Sequence, residues 1–297
     1  MPDASPTVRP LPALHEPVLR WYDRNARDLP WRAPGTGAWA VLVSEVMLQQ
    51  TPVARVEPVW REWVARWPTP AALAADQPGE AVRAWGRLGY PRRALRLHGA
   101  AVEVVSRHGG ELPTTYRELL ALPGVGGYTA AAVASFAYGQ RHAVLDTNVR
   151  RVFARAAAGR AEPAPSLSAD ERRLGEALLP DAPAVAARWA VAVMELGALV
   201  CTARAPRCAD CPLLERCAWQ RAGRPAHDGP TRRSQPFAGT DRQVRGLLLG
   251  VLRERPDPVP PAALAAVWDD AEQRDRALAG LVADGLAVQV AGRYRLP

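Results

Sequence analysis

The chain contains no lysine: all 38 of its basic side chains are arginine. That excludes any chemistry relying on a lysine amine, Schiff-base formation above all, because an arginine guanidinium stays protonated at every accessible pH. Long apolar runs are also missing. No stretch approaches the roughly 18 residues that a membrane span needs, and the opening MPDASPTVRPLPALHE has neither the basic start nor the apolar segment of a secretory signal. A cytoplasmic protein with no membrane partner is expected. Cysteine is scarce, and all four fall between Cys201 and Cys217. Such clustering excludes a scattered disulfide framework and points to one metal site in a reducing compartment. No internal repeat or low-complexity tract is evident.

What is present is positive charge and helical periodicity. A net charge of +8 over 297 residues suits a polyanionic partner such as nucleic acid. From Ala13 to Trp219, apolar residues recur at three and four, as in VEPVWREWVARW and ALRLHGAAVEVV. Pro68, Pro78, Pro113, Pro123, Pro180 and Pro183 fall where helices stop or start. The pattern predicts about ten short helices and no strand before residue 285. Arg221 to Pro236 has the Pro, Gly and charge content of a linker. After it, residues 237–297 read as three helices closed by a hairpin turning at Ala291 and Gly292, the order of a winged-helix domain. That order leaves open whether the module binds DNA or packs on the main body.

Four segments carry chemistry. Cys201, Cys208, Cys211 and Cys217 form a C-x6-C-x2-C-x5-C pattern, whose thiolates suit either a cubane cluster or a tetrahedral zinc. Arg204, Arg207, Arg216 and Arg221 surround that loop, so the metal would prop up a basic surface. In LLALPGVGGYTAAAVASFAYG, a helix ends at a Pro-Gly turn, Gly124 and Gly126 permit close backbone approach, and a second helix begins near Tyr128. The hairpin is either an ordinary helix-to-helix turn or an anion site for DNA phosphate. Asp146, in AVLDTNVRRVFAR, is placed as a helix N-cap, and equally as a carboxylate able to stabilise a developing positive charge at a sugar. In WAVLVSEVMLQQT, Glu45 sits inside an apolar helix. It is either solvated at the helix edge or desolvated and useful as a proton donor.

Taken together, LPWR (residues 29–32), SEVMLQQT (44–51), LGYPRRALRLHGAA (88–101), LPGVGGYTAAAV (122–133), LDTNVRRV (145–152) and the cysteine loop resemble the helix-hairpin-helix DNA glycosylases. The similarity is greatest to the A/G-specific adenine branch. The resemblance implies a mainly α fold, with a six-helix barrel domain, an iron-sulfur cluster domain and here a small winged-helix-like C-terminal module. The expected layout is an N-terminal helix (1–30) packing with the cluster domain, a six-helix domain (31–145), the cluster domain (146–220), a linker (221–236) and the module (237–297).

The resemblance implies a monofunctional, monomeric glycosylase of base excision repair. It would hydrolyse the N-glycosidic bond of adenine opposite 8-oxoguanine or guanine in double-stranded DNA, and it would be associated with the nucleoid. Glu45 would protonate adenine at N7, Asp146 would face the oxocarbenium ion, and Tyr128 and Asn148 would position them. Gln49 and Tyr90 match residues that wedge into the duplex. Gln50, Thr51, Leu88, Gly124, Val125 and Gly126 would complete the DNA contacts, and the four cysteines would hold a [4Fe-4S] cluster. Three departures stand out: Pro91 replaces a usual tyrosine, Thr147 a usual glycine, and residues 237–297 the usual Nudix-like domain that inspects the oxidised guanine. The competing readings are a glycosylase of the same fold acting on mispaired thymine or uracil or on oxidised pyrimidines, and a non-catalytic DNA-binding protein.

Overall fold

The structure is a computed structural model that describes residues 13–227, 229 and 237–297. Half of the expected linker, at 228 and 230–236, and the first twelve residues lie outside the described residues. Twelve α-helices precede the linker: α1 (His15–Asn25), α2 (Ala38–Leu48), α3 (Val53–Arg66), α4 (Pro70–Ala74), α5 (Pro78–Trp85), α6 (Arg92–His108), α7 (Tyr116–Ala121), α8 (Gly127–Phe136), α9 (Thr147–Ala156), α10 (Ala169–Ala177), α11 (Pro183–Leu199) and α12 (Ala218–Arg221). Three of these described helices, α4, α7 and α12, are too short to generate a periodic signal, which is why the number departs from the expected ten. Three more, α13 (Asp241–Glu254), α14 (Pro261–Ala265) and α15 (Ala271–Ala283), precede a hairpin of β1 (Val288–Val290) and β2 (Arg293–Arg295).

The chain divides into two compact units: residues 29–129 with 231–297, and residues 1–28 with 130–230. In the first, α2 is apolar almost all round, and Trp39 and Val41 to Met47 are all buried, as a helix enclosed on every side must be. Tryptophans fill the space beside it. The rings of Trp63 and Trp67 meet edge to face at 4.6 Å, and those of Trp63 and Trp85 at 5.7 Å. Trp39 donates to Trp67 O at 3.1 Å, Trp60 to Ala40 O at 2.9 Å and Trp85 to Gly89 O at 2.9 Å, so these rings are fixed in orientation as well as buried. The amphipathic α6 packs on α4 and α5 and stops at Gly109, whose φ of 63° no side-chain-bearing residue adopts readily.

The C-terminal module has its own core of Val244, Leu248, Leu249, Leu252, Leu264, Leu281 and Leu286. Its strands pair antiparallel, Val288 with Arg295 and Val290 with Arg293. The turn falls at Ala291 and Gly292, both with positive φ, as a tight two-residue hairpin requires. Val259 adds one bridge to Tyr294, and three helices with a bridged hairpin form the expected winged-helix-like order.

In the other unit α9 and α11 pack together and α1 lies along α11. Their shared core includes Leu14, Val18, Val149, Val152, Phe153, Trp189, Val193 and Leu196. Trp189 stacks on Phe153 and takes the edge of His15. The start of α10 is fixed by a capping box between Ser168 and Glu171.

The tryptophan cluster yields a contrast. Trp63 is fully buried and its indole N–H has no hydrogen-bond partner, whereas that of Trp85 is bonded. Trp63→Phe removes an unsatisfied donor and should cost about 1 kcal/mol less than Trp85→Phe, which removes a made bond; urea unfolding of the two variants measures the difference.

Candidate active site and cysteine loop

Glu45 lies mid-way along α2 and is only 5% exposed. The solvated-edge reading of this residue therefore fails: a carboxyl group enclosed by Val, Leu and Met is desolvated. Tyr128, in the first turn of α8, donates its hydroxyl to Glu45 Oε2 at 2.9 Å, which fixes the plane of the carboxyl group. Gln49 reaches the buried Thr129 hydroxyl of the same helix at 3.3 Å.

Past its end at Leu48, α2 leaves carbonyls that need donors. Arg93 supplies them, its Nη1 donating to Val46 O at 2.7 Å, Met47 O at 3.2 Å and Gln49 O at 2.7 Å. Its Nη2 donates to Thr51 Oγ1 at 3.2 Å and Gly89 O at 3.1 Å, and the guanidinium lies over the Trp85 and Tyr90 rings. Burial pushes Arg93 down to about 10, so it remains charged at neutral pH. Thr51 also donates to Leu88 O. Gln49, Thr51 and Tyr90 thus contact one guanidinium, Leu88 is tied to it through Thr51, and Gln50 lies between Gln49 and Thr51 in the chain. They differ in what they present: the Leu88 and Thr51 side chains are buried, Gln50 is exposed, and Tyr90 is 54% exposed. Gln50 and Tyr90 both have positive φ, a strained conformation for residues with side chains.

The hairpin between α7 and α8 closes with Val125 N–H on Leu122 O at 3.1 Å. Gly124 has φ of 76°, and a Cβ there would fall 2.6 Å from Arg96 Cβ, so only glycine fits. Val125 is buried beneath the turn, while a Cβ at Gly126 would meet open space.

In the other unit, Asp146 caps α9, its Oδ1 accepting from Val149 N–H at 2.6 Å. Its Oδ2 accepts from Asn148 Nδ2 at 2.8 Å. Burial raises the Asp146 carboxyl above its ordinary range, and these bonds together with the Arg151 charge oppose the rise. Arg151 donates to Asn148 Oδ1 at 2.9 Å, Gly197 O at 2.7 Å and Cys201 O at 2.7 Å. Gly197 leaves room for this arrangement, since a Cβ there would stand 2.7 Å from that of Asn148.

Cys201, Cys208, Cys211 and Cys217 line one recess of about 300 Å³ with Arg155, Leu214 and Trp219. Burial, with the neighbouring thiols adding to it, pushes Cys211 up to about 12. Arg155 Nη1 points at Cys201 Sγ from 3.6 Å. Among the described residues, no group of three or more His, Cys, Asp or Glu is arranged to hold a single metal ion.

A family model described as HhH-GPD superfamily base excision DNA repair protein matches residues 43–176, a span containing Glu45, Tyr128, Asp146 and Asn148. The adenine DNA glycosylase of Mycobacterium tuberculosis (strain H37Rv) is 53% identical over 302 residues, covering 98% of both chains. That of Homo sapiens is 42% identical over 219 residues, covering 71% of this chain and 40% of the human one. The chain belongs to the HhH-GPD superfamily, in its adenine DNA glycosylase branch. Among solved structures, a thermostable thymine-DNA glycosylase superposes with a TM-score of 0.62 at 25% identity, over 69% of this chain and 94% of that one. An endonuclease III in complex with DNA superposes at 0.59 and 23% identity, over 69% and 92%. No described helix is long and apolar enough to cross a membrane.

For this HhH-GPD protein, motif reading missed the residues that hold the motif residues in place. Arg93, Arg151 and the pair of Arg27 with the fully buried Glu195, bonded at 2.7 and 2.8 Å, carry no periodic or spacing signature. The only available signal for Arg93 and Arg151 was an arginine inside an otherwise buried helix face. Arg93→Lys tests the geometry, because a compact ammonium cannot span five acceptors on two segments. It should lower stability by about 2 kcal/mol, measured by urea unfolding, although the charge is conserved.

Proposed function

We propose that the protein is a monofunctional, monomeric adenine DNA glycosylase of base excision repair. It acts in the cytoplasm, at the nucleoid, on double-stranded DNA with adenine opposite 8-oxoguanine or guanine. The observation that carries the reading is Glu45, desolvated in an apolar helix and oriented by Tyr128 at 2.9 Å, in a chain so similar over its whole length to enzymes named adenine DNA glycosylase. The endonuclease III-like alternative is weaker, because those enzymes resemble this chain but place lysine where Tyr128 stands, and this sequence has no lysine. The mispaired-thymine enzymes share the tyrosine, and the distinction from them rests on SEVMLQQT.

In this mechanism protonated Glu45 gives its proton to adenine N7. The bond from C1′ to N9 breaks with its electron pair going to adenine, which leaves neutral. The sugar is left as an oxocarbenium ion, whose charge the ionised Asp146 stabilises. Water adds at C1′, and its lost proton restores Glu45. Asn148 and Tyr128 position the two carboxyl groups. Gln49 and Tyr90 wedge into the stack, with Gln50, Thr51 and Leu88 around them and the hairpin at Gly124, Val125 and Gly126 against phosphate. The cost of unstacking the target base is offset by these contacts.

The four cysteines are assigned to a [4Fe-4S] cluster. Four soft thiolates around one recess fit a polynuclear group, and the resemblance to the adenine DNA glycosylases favours the cluster over a single zinc ion. When bound, the cluster supplies a covalent cross-link that fixes the loop bearing Arg204, Arg207 and Arg216. Metal binding must displace protons from thiols such as Cys211, so loading should be favoured by rising pH.

Two variants separate chemistry from scaffolding. Glu45→Gln should bind the mispaired duplex and lose single-turnover excision by about 10² to 10⁴, the share of a general acid. Asp146→Asn keeps the cap on Val149 N–H and removes a carboxylate whose charge burial disfavours, at the loss of the oxygen that accepts from Asn148, so it should change stability at pH 7 by no more than about 1 kcal/mol. Its excision should fall as far as that of Glu45→Gln. Near-normal excision by Asp146→Asn would make Asp146 a cap alone.

The absence of lysine sets the reaction's end point. End-labelled duplex should show strand breaks only after hot alkali, and borohydride should trap no covalent adduct. Cleavage without alkali would sink the monofunctional assignment.

A further inference from the structure

We propose that the C-terminal module is a clamp on the loop that carries Tyr90. In this way it governs how strongly the enzyme prefers mispaired over matched duplex without itself reading DNA. The inference rests on the glycosylase reading above and concerns residues 237–297.

The loop from Gly86 to Pro91 joins α5 to α6, with Gly86, Gly89 and Tyr90 all at positive φ. For Tyr90 that backbone is costly, and it holds in place an exposed aromatic ring. Strain of this kind persists where surrounding structure over-determines it, and it marks functional positions. An exposed, rigidly held aromatic ring is suited to insertion between base pairs.

Both stems of the loop are held by the module. On α5, Gly79 N–H donates to Pro297 O at 2.9 Å, and a Cβ at Gly79 would lie 2.4 Å from that oxygen and 2.9 Å from Leu296 Cβ. One turn on, Val82 O accepts from Arg253 Nε at 3.0 Å. Arg83 donates in return to Arg253 O and Arg255 O. At the start of α6, Arg92 pairs with Asp284 at 2.8 Å, and Asp284 also receives Arg245. Burial in this contact pushes Arg253 down to about 10. The end of the chain is therefore seated in the body, with backbone and side-chain bonds on either side of the loop.

The module's own charges argue against DNA reading. The face of α15, the helix a winged-helix domain would offer to a groove, carries exposed Glu272 and Asp275. Its Arg276 is paired with Asp241 at 2.9 Å and its Arg274 is bonded to Trp268 O at 2.9 Å. Phosphate contact needs uncommitted positive charge. The wing offers only Arg293 and Arg295, which makes it the alternative to test.

The experiment uses the full-length protein. Asp284→Ala and Arg253→Met each loosen one stem, Arg293→Glu with Arg295→Glu reverses the wing, and Arg253→Lys serves if Arg253→Met does not fold. Binding is titrated on duplex with adenine opposite 8-oxoguanine and on the same duplex with adenine opposite thymine. A 2-aminopurine beside the pair reports unstacking. Each clamp variant should cut the preference for mispaired duplex by about tenfold and weaken the 2-aminopurine signal. In a Tyr90→Ala background the same changes should have no further effect, because both act through one ring. The wing variant should keep the preference. Clamp variants that keep it, clamp effects that add in full to Tyr90→Ala, or a wing variant that loses it would overturn the proposal. These titrations read binding and unstacking only. A wild-type protein that failed to release adenine would overturn the proposed function and leave the clamp decided by the same data.

Discussion

The buried guanidinium of Arg93 is the contact on which the first unit's proposed functional residues depend. One charged group satisfies carbonyls at the end of α2, the Thr51 hydroxyl and a carbonyl in the loop before α6. Desolvating a cation is costly, and only several good acceptors offset it. Once they do, α2 cannot slide relative to the loop without losing several bonds together, so Glu45 at one place and Tyr90 at another are held in a fixed relation. A hydrophobic residue at position 93 would avoid the desolvation cost and leave the carbonyls past α2 without donors.

The second unit repeats the device. Arg151 joins Asn148, the carbonyl of Gly197 and that of Cys201, and Arg155 joins the carbonyls of Ala161, Thr202 and Ala203. In a chain without lysine, every buried cation is a planar fork able to bond several acceptors at once. The arginine-only composition, whatever its genomic origin, thus bears on construction as well as on chemistry. Where α-helix ends and irregular loops bring many carbonyls together, a guanidinium can satisfy them in a way an ammonium cannot.

The helical character of the chain, the hairpin before Tyr128 and the order of the C-terminal module were legible in the sequence because each rests on local signals: periodicity, Pro and Gly positions, and a two-residue turn. Glu45 stood out for a similar reason, as a charge inside an apolar run, and its burial follows from α2 being enclosed on all sides. Arg93, Arg151 and the Arg27 pair with Glu195 were not legible, since each joins the chain to partners 42 to 168 positions away, beyond any local pattern. The seating of the module was equally hidden. Gly79 reads as an ordinary glycine in a short helix, and only the approach of Pro297 gives it a reason. Among the cysteines the spacing identified the set but not the metal, since four thiolates suit a zinc ion and a cluster alike.

Asp146 shows why the cap and the catalytic reading need not compete. The bonds from Val149 and Asn148 that make it an N-cap are the same bonds that oppose the effect of burial on its carboxyl group. Burial still wins, and a group whose protonated form is favoured in the fold costs stability whenever it is ionised at neutral pH. Asparagine would cap α9 nearly as well without that cost. An ionisable group held where the fold disfavours its charge is what the proposed reaction would require, since a positive centre on a deoxyribose needs a negative partner.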